Sequence, residues 1–203
     1  MMTDIPALIL ASQSPSRAQL LQQAGLKFDI RPALIDEEEV KHAMFGEKAP
    51  ATDAAVALAE MKAAKISRGD PLALVIGADQ ILECNGIWFD KPVDLDHASA
   101  HLTALRGKTH ILANAVCVAK GGSVLWRHVT IARLTLHNFN DAVLDAYLAA
   151  AGEAILTSVG AYQFEGIGVQ LFSKVEGDFF SILGLPMLPL LDFLRGHHIG
   201  LAA

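Results

Sequence analysis

The sequence predicts an α/β fold, and three observations carry that expectation. Short apolar runs of strand character, at residues 5–11 and 72–82, alternate with segments that show helix caps and helical spacing. The run at 72–82 is apolar on both faces, the pattern of a strand in the middle of a sheet. Two long alternating runs, near 108–119 and 123–137, are joined by Lys120-Gly121-Gly122-Ser123 and read as an antiparallel hairpin.

Taken in order, the first strand ends at Ala11-Ser12-Gln13-Ser14-Pro15-Ser16-Arg17. Ser14 stands at an N-cap and Pro15 at the first helical position, where a missing N–H costs nothing. The helix over 15–25 ends at Gly25 as its C′ residue. Unpaired N–H groups and the positive end of the helix dipole lie here beside two hydroxyls and Arg17, chemistry suited to a phosphate. An ordinary capped helix with a surface arginine is the other reading of the same residues. A second short strand covers 26–31. The acidic run Asp36-Glu37-Glu38-Glu39 reads as a solvated face or a helix N-terminus, and a carboxylate placed there could also point into a cleft. Residues 41–50 read as irregular. Thr52-Asp53 then cap an alanine-rich helix over 53–68 that carries Lys62 and Lys65, and Gly69-Asp70-Pro71 stops it.

Asp79 interrupts the central apolar strand, where an ionisable group is costly unless paired or solvated in a site. It is the most informative single residue of the chain. Asn85-Gly86 makes a hairpin turn, so Asp79 and Lys91 can come to the same end of the sheet. A helix over 94–106 follows, capped by Asp94. His97 and His101 on it have metal-ligand spacing, but no third ligand accompanies them, and a solvated helix face is the reading favoured. Asn140 caps a helix to 151. The glycines of the 160–168 stretch allow close backbone approach to a ligand or simply a bulge. A strand at 169–175, a short helical stretch at 179–183 and a closing helix at 185–194 complete the chain, with 196–203 read as a frayed tail.

Composition narrows the function. The chain has 203 residues, is 52% hydrophobic and 19% charged, and so is expected to fold on its own core. Its net charge of −6 with no basic block argues against nucleic-acid backbone binding. Cys84 and Cys117 match no metal spacing and read as buried free thiols, suited to a reducing cytoplasm. Neither a secretory leader nor an apolar run of membrane-spanning length is read in the sequence.

These residues together resemble the Maf-type nucleotide pyrophosphatases. The resemblance runs over nearly the whole chain: Leu10-Ala11-Ser12-Gln13-Ser14-Pro15 with Arg17, Asp36-Glu37, Leu58-Ala59 to Lys62-Ala63, Ile76-Gly77-Ala78-Asp79, Lys91-Pro92, Gly160-Ala161-Tyr162, Glu165-Gly166, Glu176-Gly177-Asp178 and Gly184-Leu185-Pro186. It implies a single domain over 1–203 with an elongated mixed β-sheet flanked by helices and two lobes about a central cleft, as in inosine triphosphate pyrophosphatases. It implies a cytoplasmic homodimer that splits a nucleoside triphosphate into monophosphate and pyrophosphate with a divalent cation, magnesium or manganese. Asp79 would be the proton acceptor or a metal ligand and Glu37 its metal partner. Ser12, Ser14, Arg17, Lys62 and Lys91 would hold phosphates. Ser16, Gln80 and Glu165 fall where members differ with their substrate. Gln80 and Glu165 are similar to members that cleave 7-methyl-GTP. A glutamate can accept from N1–H and the exocyclic amine of guanine, and its charge favours a cationic methylated purine. Ser16 matches neither these members, which carry an aromatic there, nor the dTTP/UTP-cleaving ones, which carry arginine. Cleavage of dTTP or UTP is the alternative within the family, and a nucleotide-binding regulator of septum formation the alternative of another class.

Overall fold

The computed structural model describes residues 6–201, which form a mixed α/β structure with seven strands and seven α-helices among them. In chain order these are β1 (Leu8–Leu10), α1 (Pro15–Gln23), β2 (Asp29–Ile30), α2 (Glu37–Gly46), α3 (Ala51–Gly69), β3 (Leu74–Cys84) and β4 (Ile87–Phe89). Then come α4 (Leu95–Leu105), β5 (Thr109–Lys120), β6 (Ser123–Leu136), α5 (Asp141–Ala151), β7 (Phe172–Glu176), α6 (Phe179–Ile182) and α7 (Met187–Arg195). Three 3₁₀ turns at Gly152–Thr157, Val159–Ala161 and Ile167–Leu171 lie between α5 and β7. The strands form one sheet in the order β2-β1-β3-β5-β6-β7, with β4 added against β3. β1 runs parallel to both β2 and β3, whereas β4 and β7 pair antiparallel with β3 and β6, so the sheet is mixed. β5 and β6 meet at Gly121 and Gly122, both at positive φ, the two-residue connection that joins antiparallel neighbours.

The chain divides into two compact units, and β3, β5 and β6 pass from one to the other. The first holds the described residues up to Gln80, those of 114–130 and those from Gly184 onward. Its core is made by Ile9, Leu10, Leu21, Leu58, Leu74, Ile76 and Leu190, all essentially without solvent contact. β1 and β3 are sealed on both faces here, as the apolar runs require. The second unit, residues 81–113 and 131–183, packs its own cluster around Leu102, Leu105, Leu112, Leu134 and Ile155.

Several boundaries differ from the sequence reading. Residues 41–46 are helical, because Asp36 caps α2 by accepting from the Glu39 N–H at 3.0 Å and Glu37, Glu38 and Glu39 complement the dipole in its first turn. Helix α3 starts at Ala51 behind Pro50, so Thr52 and Asp53, expected to cap it, lie inside its first turn. The second strand is only two residues long. Residues 169–171, expected as strand, belong to the 3₁₀ turn Ile167–Leu171, and β7 starts at Phe172. The tail is anchored as far as Ile199, which is buried and donates to the Leu194 carbonyl at 3.1 Å. The readings at residue 5 and at 202–203 lie outside the described residues. The end of α1 matches expectation: Gly25 has φ +73°, and its N–H and that of Leu26 close back onto the carbonyls of Gln22 and Leu21.

Candidate active site

Asp79 lies on β3 and is 4% exposed. A carboxylate so placed needs a counter-charge, and α3 supplies it. Lys62 Nζ, itself buried, stands 2.6 Å from Asp79 Oδ1 and 2.9 Å from Glu37 Oε1. One lysine therefore bridges a buried acid and a half-exposed one. Asp79 Oδ2 is buried without a hydrogen-bond partner. The closeness of α3 to β3 has a local cause at Gly77. A Cβ built there would lie 2.1 Å from the Ala59 carbonyl oxygen and 2.9 Å from Ala63 Cβ. The helix backbone sits directly on the strand, and only glycine opposite alanines permits that. Lys65, one turn on from Lys62, donates to the Leu34 carbonyl and holds the segment leading into α2 and Glu37.

The turn after β1 is built around Arg17. Ser14 has extended backbone angles and accepts from the Arg17 N–H at 3.4 Å, as an N-cap should. The Arg17 side chain is not on the surface. Its Nε donates to the Gly184 carbonyl at 2.9 Å, and Nη1 donates to the Ala78 carbonyl at 2.9 Å and to Ser12 Oγ at 3.2 Å. Burial lowers its pKa, while the charges of Asp79 and Glu37 act in the opposite direction. The reading of a surface arginine on an ordinary capped helix is thereby corrected. Ser12 Oγ also accepts from the Ser14 N–H at 3.2 Å. Both serine hydroxyls act as acceptors in these contacts, so each keeps its O–H proton as a donor. Ser16, in the first turn of α1, is half-buried.

Gln80 follows Asp79 and is half-buried, with Nε2 donating to Asn114 Oδ1 on β5 at 2.7 Å. Glu37, Lys62, Asp79, Ser12, Ser14, Ser16, Arg17 and Gln80 all belong to the first unit. Lys91 and Glu165 belong to the second. Lys91 is exposed just beyond β4, whose hairpin with β3 pairs Leu82 with Phe89 and Cys84 with Ile87. Glu165 is exposed in the turn before the last 3₁₀ segment. Burial, with the negative charge of Glu165 adding to it, pushes the Tyr147 hydroxyl up to about 12.

Sequence reasoning passed over Asn114 and the carbonyls of Ala78 and Gly184. The first left a signal, an amide inside the apolar run Ile111-Leu112-Ala113-Asn114-Ala115-Val116. Backbone acceptors leave none.

Among the described residues no group of three or more His, Cys, Asp or Glu is gathered in metal-binding fashion. His97 is exposed and lies 2.7 Å from Asp94, while His101 turns inward, edge-on to Phe89. The donor set that does fit a divalent cation is the orphaned Asp79 Oδ2 together with the Glu37 carboxylate. Magnesium is commonly held by one or two carboxylates plus substrate phosphates rather than by an all-protein cage. Cys84 and Cys117 are buried free thiols, as expected, and burial pushes the second up to about 12. No helix of the described residues is long and apolar enough to cross a membrane.

The fold and this cluster define a mixed α/β protein whose acids, lysine and arginine gather around the end of β1 and the middle of β3. A family model described as Maf-like protein matches residues 7–197, and the chain belongs to that family. A nucleoside triphosphate pyrophosphatase of Paramagnetospirillum magneticum is 54% identical over 92% of this chain and 96% of its own length. A second, of Granulibacter bethesdensis, is 52% identical over 94% and 96%. A 7-methyl-GTP pyrophosphatase of Rhizobium meliloti is 48% identical over 94% and 96%.

Proposed function

We propose that this protein is a nucleoside triphosphate pyrophosphatase that prefers 7-methyl-GTP or a related modified purine nucleotide. The observation that carries the reaction is the bridge from Asp79 through Lys62 to Glu37, with one buried Asp79 oxygen left without a partner. Water attacks the α-phosphorus, the new P–O bond forms as the α–β anhydride breaks, and pyrophosphate leaves. Asp79 accepts the proton of that water. Lys62 holds the buried acid in place, and with Lys91 it offsets charge building on the pyrophosphate. The Ser12 and Ser14 hydroxyls donate to phosphate oxygens. Arg17, whose Nε and Nη1 hold protein acceptors, acts through its charge and by fixing Ser12. A divalent cation, magnesium or manganese, would be held by Asp79 and Glu37 and would neutralise the triphosphate and favour ionisation of the water.

The base preference rests on Gln80 and Glu165, and on relatives of both names at 48–54% identity. A carboxylate suits the donor edge and positive charge of a 7-methylguanine and opposes the O4 acceptor of uracil. Pyrophosphate release measured with magnesium across 7-methyl-GTP, GTP, dTTP and UTP tests this. Highest kcat/KM for 7-methyl-GTP is expected, and faster cleavage of dTTP overturns the base assignment while leaving the reaction. Asp79→Asn is expected to slow release by about 10²-fold or more, the scale of lost acid–base catalysis. Unchanged turnover in that variant removes Asp79 from the mechanism.

A further inference from the structure

We infer that Asn114 is a positioning residue for substrate selectivity, acting through Gln80. Asn114 lies on β5 and has no solvent exposure, with Ala113 and Ala115 on either side of it and apolar residues beyond. A primary amide buried in such a run is destabilising unless its polar atoms are bonded, and a small apolar residue would fill the place without that liability. Its carbonyl oxygen accepts from Gln80 Nε2 at 2.7 Å. A glutamine side chain has three rotatable bonds and an amide that can present either end. In this structure accepting from Nε2 restrains the Gln80 rotamer and leaves Oε1 as the end outside that hydrogen bond.

Gln80 is placed where this matters. It directly follows Asp79, and Ala78, just before that residue, offers its carbonyl to Arg17. Gly184 separates Gln80 from the guanidinium. A Cβ built on Gly184 would lie 3.5 Å from Arg17 Nε and Nη2 and 3.8 Å from Gln80 Cδ. Gly184 has φ +91°, so its lack of a side chain suits both the backbone and this packing. The Gln80 amide thus lies on one side of Gly184 and the arginine that fixes Ser12 on the other, with Asn114 bonding the amide from the buried side.

The inference rests on the reading of Gln80 as a residue that meets the base. It is tested by kcat and KM for 7-methyl-GTP and GTP in the wild type, Asn114→Ala, Gln80→Ala and the double variant, with thermal unfolding of each. Asn114→Ala is expected to change the ratio of the two kcat/KM values by about 3–10-fold, the scale of one net hydrogen bond. The change should match that of Gln80→Ala in direction, come mainly through KM, and not grow further in the double variant. Should Asn114→Ala fail to fold, Asn114→Ser carries the same expectation, since its shorter side chain cannot reach Gln80 in this geometry. Equal losses for both nucleotides, with the ratio unmoved, make Asn114 merely structural and overturn the inference while Gln80→Ala still moves it. An unmoved ratio in Gln80→Ala overturns the inference and the role of Gln80 together. A ratio that moves in both single variants from a wild type that favours GTP upholds the positioning role and overturns only the 7-methyl-GTP preference.

Discussion

Replacing Lys62 by methionine separates what the bridging lysine does for the fold from what it does for the reaction. The ammonium stands 2.6 Å from Asp79 and 2.9 Å from Glu37. The Asp79 side chain is 6% exposed and that of Glu37 is 41% exposed. In Lys62→Met, Glu37 can still turn to water, but Asp79 keeps a buried charge with one oxygen already unpartnered. Leaving one member of a buried pair uncompensated costs about 3–5 kcal/mol. At roughly 2–4 °C per kcal/mol for a chain of this size, the melting temperature should fall by about 6–20 °C. Asp79→Asn should cost less than half as much, because the amide oxygen still accepts from Lys62 and Glu37 remains as the counter-charge. The double variant removes both buried charges and should regain much of the loss. Thermal and urea unfolding of the four proteins at pH 7 give these values. A Lys62→Met protein within about 1 kcal/mol of wild type would refute the reasoning. A double variant no more stable than the single one would do so equally.

Arg17→Lys should be destabilising by about 2–4 kcal/mol, since an ammonium cannot reproduce the fork that serves Gly184, Ala78 and Ser12; a melting temperature equal to that of wild type counts against it. Gly77→Ala should lose about 3 kcal/mol or more, or fail to fold, because its Cβ would overlap the Ala59 carbonyl at 2.1 Å; a normally stable variant shows that α3 is not pinned there. Burial holds the His110 imidazole at about 4 in the folded protein, below its ordinary 6.5, so the unfolded state binds more protons between those values. That contribution is fully present above about pH 6.5 and lost as pH falls toward 4, up to about 3 kcal/mol, and His110→Gln should flatten the loss in urea titrations at pH 7 and 4.5; equal losses in both proteins refute it.

Much of the fold was legible because each signal had one physical cause. The 72–82 run could only be a strand sealed on both faces, and its Asp79 could only be paired or functional. Helix α2 was missed because its stabilising features stand at its start. Asp36 and the three glutamates are what a cap and a dipole require, but the body of the helix buries no residue, so no apolar periodicity marks residues 41–46. Residues 169–171, read as the start of a strand, were misread for a related reason. Val169 and Leu171 alternate like the start of a strand, yet Gly168 just before them packs its backbone against the Gln163 carbonyl at a distance no Cβ tolerates. Arg17 was legible as a candidate for the site but not as a buried residue, since its partners at Ala78 and Gly184 are backbone carbonyls.

The alanines of α3 bear on the chemistry as much as on the helix. Propensity alone accounts for Ala54, Ala55, Ala59 and Ala63 as helix formers. The burial of Ala59 and Ala63 against β3, with Gly77 opposite, accounts for something propensity does not. A lysine carries its ammonium several ångströms from its backbone. On a helix packed at ordinary distance, with leucines between helix and strand, Lys62 would have to fold back or stop short of covering Asp79. With glycine on the strand and alanines on the helix, the two backbones come close, and Lys62 is buried with its ammonium between two acids. The same lysine engages only Asp79 Oδ1, so Oδ2 is left without a partner among the protein groups and is the oxygen open to a ligand. Small residues in the first unit thus set the geometry of the charged ones, and a methyl added at Gly77 would act on Asp79 through the helix rather than through any contact with it.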